Sequence, residues 1–218
     1  MGKKCFFFDL DGTLTDPKIG ITKSVQYSLQ SFGIGIDNPD ILVPFIGPPL
    51  RDSYKKFYSF SDRDAEKAVE KYREYFSKQG IYENALYGGI EGLLKEQKTA
   101  GKVLAVATSK PTVYAAQILK HFHIHGYFSF VAGSELDGCR SQKDLVIRYA
   151  LDHLGIRDMN DVIMIGDREH DILGAQKLGI DGVGVLYGYG DFDELTKAGA
   201  KYIAASVREL SALLTGIG

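Results

Sequence analysis

The sequence contains few cysteines, no large excess of positive or negative charge, and no long apolar run. Each of these features excludes a class of protein. Two cysteines in 218 residues, Cys5 and Cys139, are too few for the disulfide framework of a small secreted domain. Lys and Arg total 26 against 28 Asp and Glu, so a formal charge of −2 offers no broad positive field to a nucleic acid polymer. The apolar run from Cys5 to Phe8 is far shorter than the roughly 20 residues of a membrane span. We therefore expect a cytoplasmic protein without nucleic acid or membrane partners.

The order of the apolar segments predicts an α/β fold. From residue 88 onward, short β-branched runs alternate with helical patterns, which is typical of a parallel sheet covered by helices. The N-terminal run is apolar on both faces and therefore indicates a central strand. We predict a Rossmann-like parallel sheet core with helices on both faces. The predicted strands are residues 4–9, 103–108, 128–132, 162–165, 182–186 and 201–204, and the clearest helices are residues 111–122 and 142–154.

A stretch near the N-terminus interrupts this alternation and predicts a second, smaller domain. Residues 18–82 show helical spacing and no convincing strand, and Pro17 and Gly88 punctuate the chain on either side. We predict a small helical domain at residues 17–82, inserted into an α/β core of residues 1–16 and 83–218. Two apolar helix faces are predicted in it, one formed by Val25, Leu29 and Phe32 and another by Ala65, Val69, Tyr72 and Phe76.

The most informative motif follows the first predicted strand. Asp9 and Asp11 lie two residues apart where the apolar run ends, and Gly12 and Thr13 come directly after them. At the carboxyl end of a central parallel strand, such carboxylates face the crevice in which open α/β sheets bind ligands. A lone Asp-x-Asp is most often a solvated strand end, but the full run after an all-apolar strand is a strong signal.

The run Asp9-Leu10-Asp11-Gly12-Thr13 resembles the first motif of the haloacid dehalogenase-like hydrolases, most of which are Mg²⁺-dependent phosphatases. Thr108-Ser109 match the hydroxyl residue of the second motif, Lys143 matches the third, and Gly166 to Asp171 match the acidic loop of the fourth. All four motifs occur in family order, so the resemblance covers essentially the whole chain. The helical insert is similar to the cap domain of the phosphoglycolate phosphatase-like branch.

The resemblance implies a role for each motif residue. Asp9 would be the nucleophile that forms an aspartyl-phosphate, and Asp11 the general acid and base. Thr108 and Lys143 would stabilise the charge of the transferring phosphoryl group. Mg²⁺ would be the cofactor, and the residues implied to hold or orient it are Asp9, Asp11 through its backbone carbonyl, Asp167 and Asp171.

Further residues are candidates for binding the substrate. Ser109 and Lys110 follow Thr108 and would reach the same cleft. Gly47 and Arg51 flank two prolines in the least helical part of the insert, which resembles the specificity loop of related caps. An ordinary connection between two helices is an equal alternative for this segment.

These features predict a Mg²⁺-dependent phosphatase of a small phosphorylated metabolite, acting as a monomer or homodimer. Phosphoglycolate and a nucleoside monophosphate are the leading substrates. A phosphosugar mutase or a phosphonate hydrolase on the same core remains open. A non-catalytic, phosphate-binding regulatory protein is the alternative from another class, although the intact motif residues argue against it.

Overall fold

A computed structural model describes residues 2–218 and shows strands and helices alternating along most of the chain. The strands are β1 (Cys5–Phe8), β2 (Thr15–Asp16), β3 (Ala85–Leu86), β4 (Val103–Pro111), β5 (Phe130–Ser134), β6 (Val162–Gly166), β7 (Asp181–Val185) and β8 (Tyr202–Ala204). The helices are α1 (Lys18–Gln30), α2 (Leu50–Tyr58), α3 (Asp62–Tyr75), α4 (Ile90–Thr99), α5 (Thr112–His121), α6 (Lys143–Leu154), α7 (Glu169–Gln176), α8 (Phe192–Lys197) and α9 (Val207–Ile217). Every helix within residues 2–218 is too short or too polar to cross a membrane.

The chain forms two compact units. The larger consists of Met1–Asp16 and Leu86–Gly218, and the smaller of Pro17–Ala85. The smaller unit extends beyond residue 82 because α1 holds Glu83: the Gly20 N–H donates to the Glu83 carbonyl at 2.9 Å, and the Lys23 ammonium pairs with its carboxylate at 2.5 Å. The predicted boundary at residues 82 and 83 therefore lies a few residues before the end of this unit.

The larger unit contains a six-stranded parallel sheet in the order β5-β4-β1-β6-β7-β8. The first strand of the chain is central, with Phe8 beside Val106 of β4 on one side and Ile165 of β6 on the other. The carboxyl ends of three neighbouring strands therefore meet at one edge, where ligands bind in open α/β sheets.

The side chains of β1 explain its central position. Cys5 and Phe7 pack against Val146 and Ile147 of α6, whereas Phe6 and Phe8 point to the opposite face and are also fully buried. Each buried Phe side chain stabilises the fold by about 1.5–3 kcal/mol relative to an exposed one. A strand buried on both faces requires a continuous apolar run, and Cys5–Phe8 is such a run.

The predicted parallel α/β core is confirmed, with differences at the element ends. The strand predicted from residue 128 begins at Phe130, because the Phe128 N–H still closes a turn with the His125 carbonyl at 3.2 Å. The prediction that Phe32 lies on the first helix is wrong: α1 ends at Gln30, and Gly33 adopts φ = +76°, which turns the chain away.

Candidate functional site

The turn after β1 places the two aspartates of the first motif. The Asp9 N–H continues the sheet by donating to the Ile165 carbonyl at 2.8 Å. Gly12 then reverses the chain with φ = +84°, a conformation that favours glycine. A Cβ atom on Gly12 would also lie 2.1 Å from Oδ2 of Asp167, so the backbone here touches the acidic loop directly.

Three carboxylates from distant parts of the chain converge beside this turn. Asp9 follows β1, Asp167 follows β6, and Asp171 lies in the first turn of α7. Each offers an oxygen within 4.8 Å of the others, and all three side chains are buried. The Thr13 hydroxyl donates to Oδ1 of Asp167 at 3.3 Å, which fixes the direction of that carboxylate.

Lys143 supplies a fixed positive charge within this cluster. It is the first residue of α6, and its ammonium nitrogen lies 2.8 Å from Oδ1 of Asp9 and 2.6 Å from Oδ1 of Asp171. Both contacts are ion pairs, and the ammonium also donates a hydrogen bond to the Ala107 carbonyl at 3.1 Å. The side chain is 4% exposed, so this charge is held in one place.

Burial and repulsion from neighbouring carboxylates raise the pKa values of Asp167 and Asp171. Burial has the largest effect on Asp167, and the carboxylates of Asp171 and Asp9 raise its pKa further. Burial raises the pKa of Asp171 to about 6 against the opposing effect of Lys143. Burial would lower the pKa of Lys143, but the carboxylates of Asp171 and Asp9 outweigh it, and the net pKa is raised. The cluster therefore has more negative charge than its lysine balances.

These residues fit a divalent cation. Mg²⁺ prefers carboxylate and carbonyl oxygens, and three buried carboxylates within 4.8 Å offer such a set. One ammonium faces three acids, so a divalent charge would balance the site better than the protein does alone. Of the four aspartates predicted to surround Mg²⁺, Asp9, Asp167 and Asp171 share this cluster.

The side chain of Asp11 points to a different partner. Its Oδ2 lies 2.5 Å from the ammonium nitrogen of Lys110, and both side chains are almost buried. Oδ1 of Asp11 is buried without a hydrogen-bond partner, which leaves it available to a bound group. Burial raises the pKa of Asp11, and the adjacent Lys110 opposes this effect.

Thr108, Ser109 and Lys110 occupy the irregular end of β4, where the pairing with β5 shifts between Ala107 and Pro111. Thr108 is buried and its hydroxyl oxygen accepts a hydrogen bond from the Lys110 N–H at 3.3 Å. Ser109 is half-buried, and its carbonyl accepts a hydrogen bond from the Ser134 hydroxyl at 2.8 Å. Since β4 lies beside β1, Thr108 reaches the same edge of the sheet as Asp9.

Sequence reasoning missed the loop after β7, Leu186 to Gly190. The Tyr189 N–H donates to Oδ2 of Asp167 at 2.8 Å, and its hydroxyl bonds the Asp16 carboxylate. The Tyr187 hydroxyl donates to the Thr13 carbonyl at 3.0 Å, and burial raises the pKa of Tyr187. The alternation Tyr-Gly-Tyr-Gly directly after a strand was the available signal, because its glycines allow close backbone approach.

The two remaining predicted substrate residues belong to the smaller unit. Gly47 turns the chain with φ = +104° before two prolines. The guanidinium of Arg51, on α2, lies 3.2 Å from a carboxylate oxygen of Asp62 and 3.2 Å from one of Glu66. Both ion pairs lie within the smaller unit, and the substrate-binding role of Arg51 stays a prediction.

Comparison with known proteins agrees with this geometry. A sequence profile described as haloacid dehalogenase-like hydrolase matches residues 6–185. A solved structure of a predicted phosphatase from Clostridium acetobutylicum superposes with a TM-score of 0.97 at 48% identity, over 99% of this chain and 100% of that one.

Three curated relatives are named for different activities. A 5'-nucleotidase of Pseudomonas aeruginosa is 46% identical, over 95% of this chain and 93% of its own length. The tyrosine-protein kinase PtkA of Mycobacterium tuberculosis is 39% identical, over 93% of this chain and 69% of its own length. A phosphoglycolate phosphatase of Neisseria meningitidis is 30% identical, over 87% of this chain and 83% of its own length.

Proposed function

Since the chain belongs to the haloacid dehalogenase-like hydrolases and is a phosphoric monoester hydrolase, we propose that it is a Mg²⁺-dependent phosphatase of small metabolites that acts through an aspartyl-phosphate. The observation that supports this most directly is the buried cluster of Asp9, Asp167 and Asp171 with Lys143 placed between two of its carboxylates. Phosphoryl transfer depends mainly on positioning and on stabilisation of charge, which such a cluster provides.

In the proposed reaction, the Asp9 carboxylate attacks phosphorus and the bond to the leaving oxygen breaks. Asp11 donates a proton to that oxygen, then accepts one from the water that hydrolyses the aspartyl-phosphate and releases inorganic phosphate. Lys143 remains beside Asp9 and offsets negative charge, and the Thr108 hydroxyl donates to a phosphoryl oxygen. The Lys110 ammonium holds the Asp11 side chain in place.

The proposed cation site consists of the carboxylates of Asp9 and Asp167 and the backbone carbonyl of Asp11, with Asp171 orienting its surroundings. When bound, Mg²⁺ supplies positive charge beside the substrate phosphate. Tyr189 and Thr13 each donate a hydrogen bond to Asp167, which keeps its oxygens directed into the cluster.

We propose nucleoside 5'-monophosphates as the first substrate class and phosphoglycolate as the second. The 46% identical relative is named a 5'-nucleotidase, and the relatives named phosphoglycolate phosphatase are more distant. Phosphate handling needs only core residues, so we assign selection of the leaving group to the unit Pro17–Ala85, with Gly47 and Arg51 as its first candidates.

Phosphate release from p-nitrophenyl phosphate, nucleoside monophosphates and phosphoglycolate, with and without Mg²⁺, tests this proposal. We expect Mg²⁺-dependent turnover that Asp9→Asn abolishes while the circular dichroism spectrum stays unchanged. No metal-dependent release from any monoester would support the non-catalytic alternative. Because one relative is named a tyrosine-protein kinase, transfer from ATP to a tyrosine peptide is measured in parallel. Peptide phosphorylation without ester hydrolysis would overturn the proposal.

A further inference from the structure

Glu194 holds the short segment that joins Asp167 to Asp171. Its Oε1 accepts hydrogen bonds from Nε of Arg168 and from the backbone N–H of Glu169, both at 2.8 Å. Glu194 is itself fixed, because its N–H donates to Oδ1 of Asp191 at 2.7 Å where α8 begins. One carboxylate oxygen of α8 thus restrains two consecutive residues between two members of the acidic cluster.

The same segment contacts the Asp171 carboxylate and continues directly from the backbone of Asp167. The Arg168 N–H donates to Oδ2 of Asp171 at 3.1 Å. On the other side, a Cβ atom on Gly190 would lie 2.0 Å from the Asp167 carbonyl, so the loop before α8 is packed against the start of this segment. A shift of the backbone at residues 168–169 would therefore move the hydrogen bond that holds Asp171 and the backbone that carries Asp167.

We propose that Glu194 is a positioning residue for the cation site. This inference rests on the proposed function, because it concerns the Mg²⁺ that the acidic cluster would hold. The Glu194 carboxylate is outside the set of three that lie within 4.8 Å of one another, so it acts through Arg168 and Glu169 and not as a ligand. Outer hydrogen-bond partners of metal ligands typically change metal affinity by about 10–100-fold when they are removed.

Two substitutions distinguish the effect of the hydrogen bonds that Glu194 accepts from the effect of its negative charge. Glu194→Gln keeps an Oε1 that accepts both hydrogen bonds but removes the negative charge. Glu194→Ala removes the hydrogen-bond acceptor and the negative charge. If Glu194 acts by position, the glutamine variant binds Mg²⁺ within about threefold of wild type, and the alanine variant binds about 10–100-fold more weakly. Asp193→Ala is the matched control, because its carboxylate is 79% exposed and lies 3.9 Å from Lys197.

The test is calorimetric titration of Mg²⁺ into the full, substrate-free chain, with the metal-free melting temperature measured beside it. A glutamine variant as weak as the alanine variant would assign the effect to charge and overturn the inference. An alanine variant that binds Mg²⁺ like wild type would also overturn the inference, even if its melting temperature falls.

If Glu194→Ala does not fold, Arg168→Met removes one of the two donors to Glu194, and an unchanged dissociation constant for Mg²⁺ in that variant would also overturn the inference. A wild-type chain that binds no Mg²⁺ would overturn the cation site itself, which is a failure of the proposed function.

Discussion

The ammonium nitrogen of Lys110 lies 2.5 Å from Oδ2 of Asp11, and their side chains are 6% and 9% exposed. This buried pair joins a predicted substrate-binding residue to the predicted general acid. Lys110 therefore has a role without substrate, because its positive charge compensates the Asp11 carboxylate that the fold has removed from water.

Removing one charge of this pair should destabilise the protein more than removing both charges. Lys110→Met leaves Asp11 buried without its counter-charge, which costs about 3–5 kcal/mol in typical buried pairs. We expect the free energy of unfolding, measured in urea without Mg²⁺, to fall by about 3 kcal/mol in Lys110→Met and to recover in part when Asp11→Asn is added. Lys197→Met, at an exposed pair, is the control and should change it by less than about 1 kcal/mol. Equal effects of Lys110→Met and Lys197→Met would contradict this prediction.

Mg²⁺ should stabilise the folded protein through the acidic cluster. A ligand at a concentration of 100 times its dissociation constant adds about 2.7 kcal/mol to the free energy of unfolding. We expect Mg²⁺ to raise the melting temperature of wild type and to have little effect on Asp167→Asn. Without Mg²⁺, Asp167→Asn should be at least as stable as wild type, because it removes one of three crowded, buried charges. Asp152→Asn, at an exposed carboxylate, should keep the full response to Mg²⁺.

Gly12 should tolerate no side chain. Alanine at Gly12 would place Cβ 2.1 Å from Oδ2 of Asp167, whereas alanine at Gly101 would meet nothing within 4 Å. The two glycines have similar φ values, +84° and +78°, so Gly101→Ala measures the backbone strain alone. We expect Gly101→Ala to cost about 1 kcal/mol and to keep wild-type Mg²⁺ affinity. Gly12→Ala should be less stable and should lose most Mg²⁺ affinity in a calorimetric titration. Equal Mg²⁺ affinities of Gly12→Ala and Gly101→Ala would contradict this prediction, because they would show that displacing Asp167 does not weaken Mg²⁺ binding.

A phosphoryl analogue should bind where Asp9 is expected to react. With Mg²⁺ present, beryllofluoride should raise the melting temperature beyond the effect of Mg²⁺ alone, because it prefers the folded site. Asp9→Asn lacks the carboxylate that would bind beryllium and should show no additional shift. An equal shift in Asp9→Asn would place the analogue elsewhere and would remove Asp9 as the proposed nucleophile.

Much of this fold is predictable because its signals are local. The run Cys5–Phe8 is apolar at every position, and such a run requires burial on both faces of a central strand. Asp9 and Asp167 directly follow β1 and β6, and Thr108 lies near the end of β4, so the parallel arrangement of these strands predicts that the three residues share one edge.

Contacts that depend on side-chain direction between distant segments were not predictable. The Lys110–Asp11 pair joins residues 99 positions apart, and Oε1 of Glu194 reaches Arg168 across 26 positions. A lysine after a strand and a glutamate on a short helix are most often solvated, and their partners follow only from the completed sheet. The end of α1 before Phe32 was missed because the apolar spacing continues through Phe32, the residue directly before Gly33.

The central place of β1 also bears on how the chain folds as it is made. Its neighbours β4 and β6 begin at Val103 and Val162. At typical rates of synthesis, β1 is therefore made about 5–20 seconds before β4 and about 8–30 seconds before β6. The contiguous unit Pro17–Ala85 is made in full during this interval. The three consecutive phenylalanines of β1 are therefore made well before the strands that bury them, so the growing chain exposes an apolar segment of the kind that chaperones bind.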